Sequence, residues 1–232
     1  MREAIQQKAV NACARILCIA LALFALLFAA ARAEYDGMLR VKLARLGSPG
    51  TLTMRANCDY ALATDTPVRI PSGTKVTLSA RAGSLTLAIG DKHISLGPSA
   101  TLRRGETGSA GMTFITPALS NRFCGDLCLT ASGDSISAVL RIYIEDYLYG
   151  VVGNEMSPSS GIEALKAQAI VARNYALQRK SARNGADYDL SDSGEALSFR
   201  GYNDAAEYAD AVKAVRETKG MLAFYGDTPA TC

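Results

Sequence analysis

The stretch "YLYGVVGNEMSPSSGIEALKAQAIVARNY", Tyr147 to Tyr175, decides how this chain is read. Tyr147, Leu148, Val151 and Val152 give an apolar helical stripe that stops near a carboxylate, Glu155. Pro158 and Gly161 then break the chain, and an Ala-rich helix follows. In it Leu165, Ala169, Ala172 and Ala176 fall at i, i+4, i+7 and i+11, a seam of mostly methyl-sized groups. Small side chains let another element approach closely, so this helix is expected to pack tightly on a sheet or a neighbour. Glu163 and Lys166 can pair on its exposed side. Lys166, Gln168 and Arg173 are expected as surface or cleft groups.

Upstream the pattern changes. From Met38 to about residue 138, short runs such as "LRVKL", "TLTM", "KVTLSA", "SLTLAI" and "HISL" read as strands, with "GSPG", "IPSGT" and "LGPSA" as turns. A further strand, "AVLRIYI", runs into helical periodicity at Glu145. Helices are expected over 145–156, 161–183 and 204–219, with Gly220 placed as a C-cap glycine. "MLAFY" reads as a strand, "GD" as a turn and "TPATC" as the start of a returning strand. That returning strand is short, so the chain is expected to be truncated at its C-terminus. The fold class is α+β: a β-rich part over 34–137, then a helical core of about three helices packed on strands over 138–232.

At the N-terminus, basic residues precede the apolar run "ILCIALALFALLFAAA", and "ARA" comes before Glu34. A basic start, an apolar middle and a small-x-small site describe a secretory signal over 1–33, or an uncleaved N-terminal anchor. The run is shorter than the ~20 residues that usually span a membrane. Export places the substrate outside the cytoplasm. The chain carries a net charge of +3. Arg2, Lys8, Arg15 and Arg32 of the leader, against Glu3, account for that excess, and no basic patch supports a nucleic-acid partner.

Of six cysteines, Cys13 and Cys18 lie in the leader. Cys58, Cys124, Cys128 and Cys232 allow three pairings, among which the sequence does not choose. Cys124 and Cys128, if extended, are too far apart to bond each other. His93 is the only histidine, and it reads as a satisfied or exposed residue of a β segment rather than a metal ligand. Neither a metal nor a cofactor is expected.

Glu155 admits two readings from the residues alone. At a cleft, desolvation would raise its pKa and suit it to act as an acid. The commoner reading of such a residue is a helix-end carboxylate without catalytic duty, a place the helix dipole does not favour.

"IEDYLYGVVGNEM" followed by "EALKAQAIVARNYAL" resembles the signature of the stage II sporulation protein D family, the SpoIID/LytB domain. Weaker similarity runs from "MLRVKL" through "GDLCLT" to "AVKAVRETKGMLAFYG". The resemblance implies a lytic transglycosylase acting on peptidoglycan, with the glutamate of the E-M pair, Glu155, as its catalytic residue. Tyr147, Tyr149, Lys166, Gln168, Arg173 and Tyr175 are the expected substrate-binding residues. Expected partners are peptidoglycan glycan strands, with other cell-wall hydrolases or sporulation membrane proteins beside them, at the outer face of the membrane or in the wall. The other function the family suggests is a non-catalytic peptidoglycan-binding enhancer of an amidase.

A single carboxyl suffices for the first reaction, whereas conventional glycosidases use two, ~5–9.5 Å apart. On a continuous helix Glu145 and Asp146 would lie about 14–15 Å from Glu155, which argues against either as a second catalytic acid. Glu163 and Asp189 stay open in that respect. Departures from the family pattern fall at Ser157, Ser160 and Gly161, where proline and tryptophan are common, and at Asn174, where threonine is usual. With no tryptophan in the chain, a sugar platform would come from Tyr147, Tyr149, Tyr175 or Tyr202. Ser191 and the positions 195–197 stand where some relatives carry metal ligands, so that zinc site is expected to be absent. A Cys-Gly-Gly segment of the family would begin near Cys232.

Overall fold

The computed structural model describes residues 37–63, 68–193 and 197–231. The leader with Cys13 and Cys18, together with Glu195 and Cys232, lies outside the described residues. Alternating apolar and polar residues build twelve strands in succession. They are β1 (Met38–Lys42), β2 (Thr51–Ala56), β3 (Tyr60–Leu62), β4 (Val68–Ile70), β5 (Lys75–Arg81), β6 (Ser84–Ile89), β7 (Lys92–Gly97), β8 (Ser99–Arg104), β9 (Met112–Thr116), β10 (Leu119–Phe123), β11 (Asp126–Ser132) and β12 (Ser135–Tyr143). A short strand, β13 (Leu190–Ser191), returns later to pair in parallel with β1.

Two sheets result. One has the order β13–β1–β12–β11–β8–β3–β4, the other β10–β9–β2–β5–β6–β7. Strands β11 and β12 pack against β5, β6 and β2, so the inward residues of both sheets share one core. Leu39, Val41, Leu127 and Leu140 meet Leu52, Met54, Leu78 and Leu87 there, all buried. At ~25 cal/mol per Å2 of apolar surface, this interior is the main favourable term holding the layers together.

β12 leads into α1 (Ile144–Tyr149), α2 (Val152–Glu155), α3 (Ile162–Ala182) and, after a 3-10 turn, α4 (Ala209–Glu217). The α+β class, the β-rich N-terminal part and the helices packed on strands agree with the sequence. One expectation needs correction. The helix predicted over 145–156 is two helices, because the chain breaks at Gly150 and Val151. Gly220 has the predicted left-handed φ of 73°, but α4 has already stopped at Glu217, and the Gly220 N–H goes to Glu145. "MLAFY" forms only the two-residue strand β14 (Phe224–Tyr225), paired with β15 (Thr228–Pro229) across the turn at Gly226.

Cys58, Cys124 and Cys128 are free thiols, and burial pushes the Cys124 thiol up to about 12. His93 is exposed on the edge strand β7. Among the described residues, no helix is long and apolar enough to cross a membrane.

Candidate active site

Two glycines shape the break between α1 and α2. A Cβ at Gly150 would lie 2.7 Å from the Phe199 ring and 3.0 Å from the Gly201 carbonyl carbon. One at Gly153 would lie 2.6 Å from the Tyr208 ring. Two different segments therefore press directly onto the helix backbone: 197–202 at Gly150, and the start of the last helical region at Gly153. The Arg200 N–H donates to the Gly150 carbonyl at 2.9 Å, and Phe199 stacks on Tyr147 with ring centroids 5.0 Å apart. Phe123 meets the other edge of Phe199 at 5.8 Å. The loop following α3 is thus pinned along the α1–α2 junction.

Glu155 ends α2 on this junction. Its side chain is exposed, which differs from the desolvated setting in the first of the two sequence readings, and its Oε1 accepts a hydrogen bond from the Ser198 N–H. That bond orients the carboxylate through one of its two oxygens. Tyr147 lies below it. Burial, and after it the nearby Tyr175 and Glu155, push the Tyr147 hydroxyl well above its ordinary pKa, so it stays protonated. That hydroxyl has no hydrogen-bond partner among the described residues.

The four other acids weighed from the sequence each have a cation partner. Glu145 takes both nitrogens of an Arg173 fork, at 2.8 and 3.0 Å. Asp146 pairs with Arg104 at 2.7 Å; its pKa is raised by burial, with the guanidinium opposing. Asp189 is bound by Arg40 at 2.6 Å, and Glu163 by Lys166 at 2.8 Å. Glu145, Asp146 and Asp189, held by a buried or forked cation, are poorly placed to exchange protons with a substrate, whereas Glu163 stands in an exposed surface pair. Helix spacing from Glu155 does not bear on Glu145 and Asp146, since the helix is not continuous.

Residues 132–225 match the model of the family SpoIID, described as "Stage II sporulation protein". This part of the chain is a SpoIID domain. Over 55 residues the chain is also 46% identical to an uncharacterized protein of Brachyspira hyodysenteriae (strain ATCC 49526 / WA1). That alignment covers 24% of this chain and spans 15% of the length of the relative. SpoIID domains process peptidoglycan.

Within the SpoIID domain the predicted substrate-binding residues divide. Tyr147 and Arg173, expected to face substrate, are each 0% exposed. Tyr147 is fixed in the core by the Phe199 stack, and Arg173 by Glu145 and the Met221 carbonyl at 2.8 Å. Both are held inside the protein, so Arg173 is not the surface or cleft group expected of it. Lys166 is partly exposed, but it bridges Glu163 and Glu217 at 2.8 Å each and so ties α3 to α4; those carboxylates raise its pKa to about 12. Gln168, Tyr149 and Tyr175 are half-buried. Asn174, the departure from threonine, holds the C-terminal hairpin: its amide donates to the Ala223 and Ala230 carbonyls and accepts from the Ala223 N–H.

Ser198, Phe199 and Tyr208 were not singled out from the sequence. The positions of Gly150 and Gly153, one helical turn apart, are the signal that could have pointed to close partners, but not to which ones.

Proposed function

We propose that the protein is a peptidoglycan lytic transglycosylase with Glu155 as its acid and base. Glu155 protonates the oxygen bridging N-acetylmuramic acid and N-acetylglucosamine. It then takes the proton from the muramic C6 hydroxyl as that oxygen attacks C1 and closes a 1,6-anhydro ring. One carboxyl serves both steps because the proton it gives and the one it receives arise at neighbouring oxygens of the same sugar. No water enters the product. The Ser198 N–H keeps Oε1 in a fixed direction, so the remaining oxygen is the one that exchanges the proton.

The observation that carries this reading is the contrast between Glu155 and the other acids considered for the reaction. Among the described residues Glu155 is exposed and held by one backbone N–H, while Glu145, Asp146, Glu163 and Asp189 each pair with a cation. The setting follows from the substrate: an exported protein, acting on glycan strands during wall remodelling of the sporulation or engulfment type, in company with other cell-wall hydrolases.

The test is release of 1,6-anhydromuropeptides from purified sacculi, read by mass spectrometry. Hydrolysis leaves reducing ends; transglycosylation gives products one water lighter. Glu155→Gln is expected to lower release by about 10²–10⁴-fold, the usual contribution of a general acid–base group. Release undiminished in the variant would refute the assignment. A wild-type protein that pellets with sacculi but releases nothing would put the amidase-enhancer reading in its place.

A further inference from the structure

A concavity lies between the segment 202–206 and the start of α4. It has a volume of about 220 Å3 and is lined chiefly by Tyr202, Asn203, Asp204, Tyr208, Val212 and Arg216. Two structural links join it to Glu155. Tyr208 lies on the Gly153 backbone, two residues before Glu155 in the same helix. From Ser198, which bonds Glu155, the chain reaches Tyr202 in four residues, a span of at most about 14 Å.

The Tyr202 ring is held in place. Tyr149 meets it edge-on at 6.1 Å, and the Arg122 guanidinium lies 5.7 Å from its centroid. Arg122 also binds Asp204 at 2.8 Å, and the backbones of 122 and 202 exchange two hydrogen bonds, at 2.7 and 3.0 Å. Tyr202 and Tyr208 both remain partly exposed.

The lining has a definite chemical character. Two phenol rings offer apolar surface, Arg216 offers donors, and Asn203 and Asp204 offer an amide N–H2 and a carboxylate oxygen beyond the Asn203 Oδ1 that accepts from the Ala205 N–H at 3.0 Å and the Asp204 Oδ2 that binds Arg122. A ligand matching that set has C–H groups on one face and hydroxyl or amide groups around its rim. Asp204 opposes an anionic ligand, and a single carboxylate does not hold a metal. A sugar ring satisfies all of these requirements.

We infer that this pocket is a sugar subsite, taking one N-acetylhexosamine ring of the glycan strand at a place separate from the bond that Glu155 cleaves. The inference rests on the reading of the protein as a glycan-cleaving enzyme, but its test does not depend on cleavage. Chitotetraose is added to the uncut-substrate variant Glu155→Gln, and backbone amide resonances are followed by NMR. Perturbation of 202–216 is expected, with affinity about tenfold weaker in Glu155→Gln carrying Tyr202→Leu, which removes the aromatic face while keeping bulk. Asp204→Ala, at an exposed position, is a second variant that keeps the fold and is also expected to weaken binding. In the cleaving enzyme, Tyr202→Leu should raise KM for sacculi more than it lowers kcat.

Absence of chitotetraose binding, shifts confined to the surroundings of Glu155, or unchanged affinity in both variants would overturn the subsite. Normal anhydromuropeptide release together with any of these would remove the pocket and leave the cleavage reading standing. Shifts over 202–216 from a protein that releases no products would do the reverse.

Discussion

Arg173 holds Glu145 by two parallel hydrogen bonds and donates to the Met221 carbonyl, with no exposed surface of its own. A guanidinium in that position joins α3 to α1 and to the chain beyond α4. Removing one partner of a buried pair leaves the other charge uncompensated, at a cost of about 3–5 kcal/mol. Arg173→Met is therefore expected to lower the stability measured by urea unfolding by that amount. Arg173→Lys should recover only part, because an ammonium cannot reproduce the fork. Unchanged stability with lost activity would instead return Arg173 to the substrate. Asp192 poses the opposite case. It is buried, with Oδ1 accepting from the Arg45 N–H at 3.0 Å and Oδ2 without a partner among the described residues. Burial raises its pKa above the ordinary aspartate value, and the backbone N–H of Arg45 opposes this. The native state thus takes up this proton at higher pH than the unfolded chain does. Its contribution to stability is full below the ordinary value of about 3.9 and is lost as pH rises through the folded pKa. Asp192→Asn should be at least as stable as wild type at pH 7, with its advantage shrinking as the pH falls toward 4. An advantage that widens on acidification would contradict this account.

At the scale of elements, the α1–α2 break governs the site. Gly150→Ala would drive a Cβ into a Phe199 ring that is itself buried between Tyr147 and Phe123, so the ring cannot swing away. Overpacking of this kind costs about 1–3 kcal/mol. The larger effect should fall on function, because displacing Phe199 moves its neighbour Ser198 off Glu155. We expect sacculus cleavage to fall by at least about tenfold, for a barrier change of about 1.4 kcal/mol, while the folded state survives in a thermal melt. Gly161→Ala is the matched control, since nothing lies within 4 Å of its Cβ position and its φ is −55°. Equal effects from the two substitutions would remove the packing explanation. The same element shows what the sequence could convey. The run from Tyr147 to Val152 has a continuous apolar stripe, and no proline or polar cluster marks an end, so it reads as one helix to Met156. The break arises from segments more than 40 residues away pressing onto two glycines, which local periodicity does not encode. By contrast, the seam at Leu165, Ala169, Ala172 and Ala176 was legible, because a buried helix face repeats within its own sequence, and all four are buried. Arg173 was misread for the converse reason: its charge suggested a surface, and its partner lies 28 residues upstream.

Across the whole molecule, the SpoIID match begins at residue 132 and takes in β12 but not the strands on either side of it, save the last residue of β11. β12 is hydrogen-bonded to β1 over Met38–Lys42 and to β11 over Asp126–Ser132. Three further ties cross the same boundary. Asp146 is neutralised by Arg104, Phe199 rests on Phe123, and Asp189 is gripped by Arg40 of β1. The first two touch the α1–α2 junction, so the strands supply part of the support for Glu155. Half of the first twelve strands, β1, β2, β5, β6, β7 and β12, were readable individually as short apolar runs, but their order was not, since pairing such as β1 with β12 joins residues about 100 apart. A fragment of residues 132–232 would leave both edges of β12 open and Asp146 buried without its cation, a combination that favours aggregation over folding. We expect that fragment to show no cooperative urea transition and no release of anhydromuropeptides, while residues 38–232 show a single transition. If the shorter fragment unfolds cooperatively and cleaves sacculi, the two sheets are an appendage to a self-sufficient catalytic unit, and the support argued here for Glu155 must come from the helices alone.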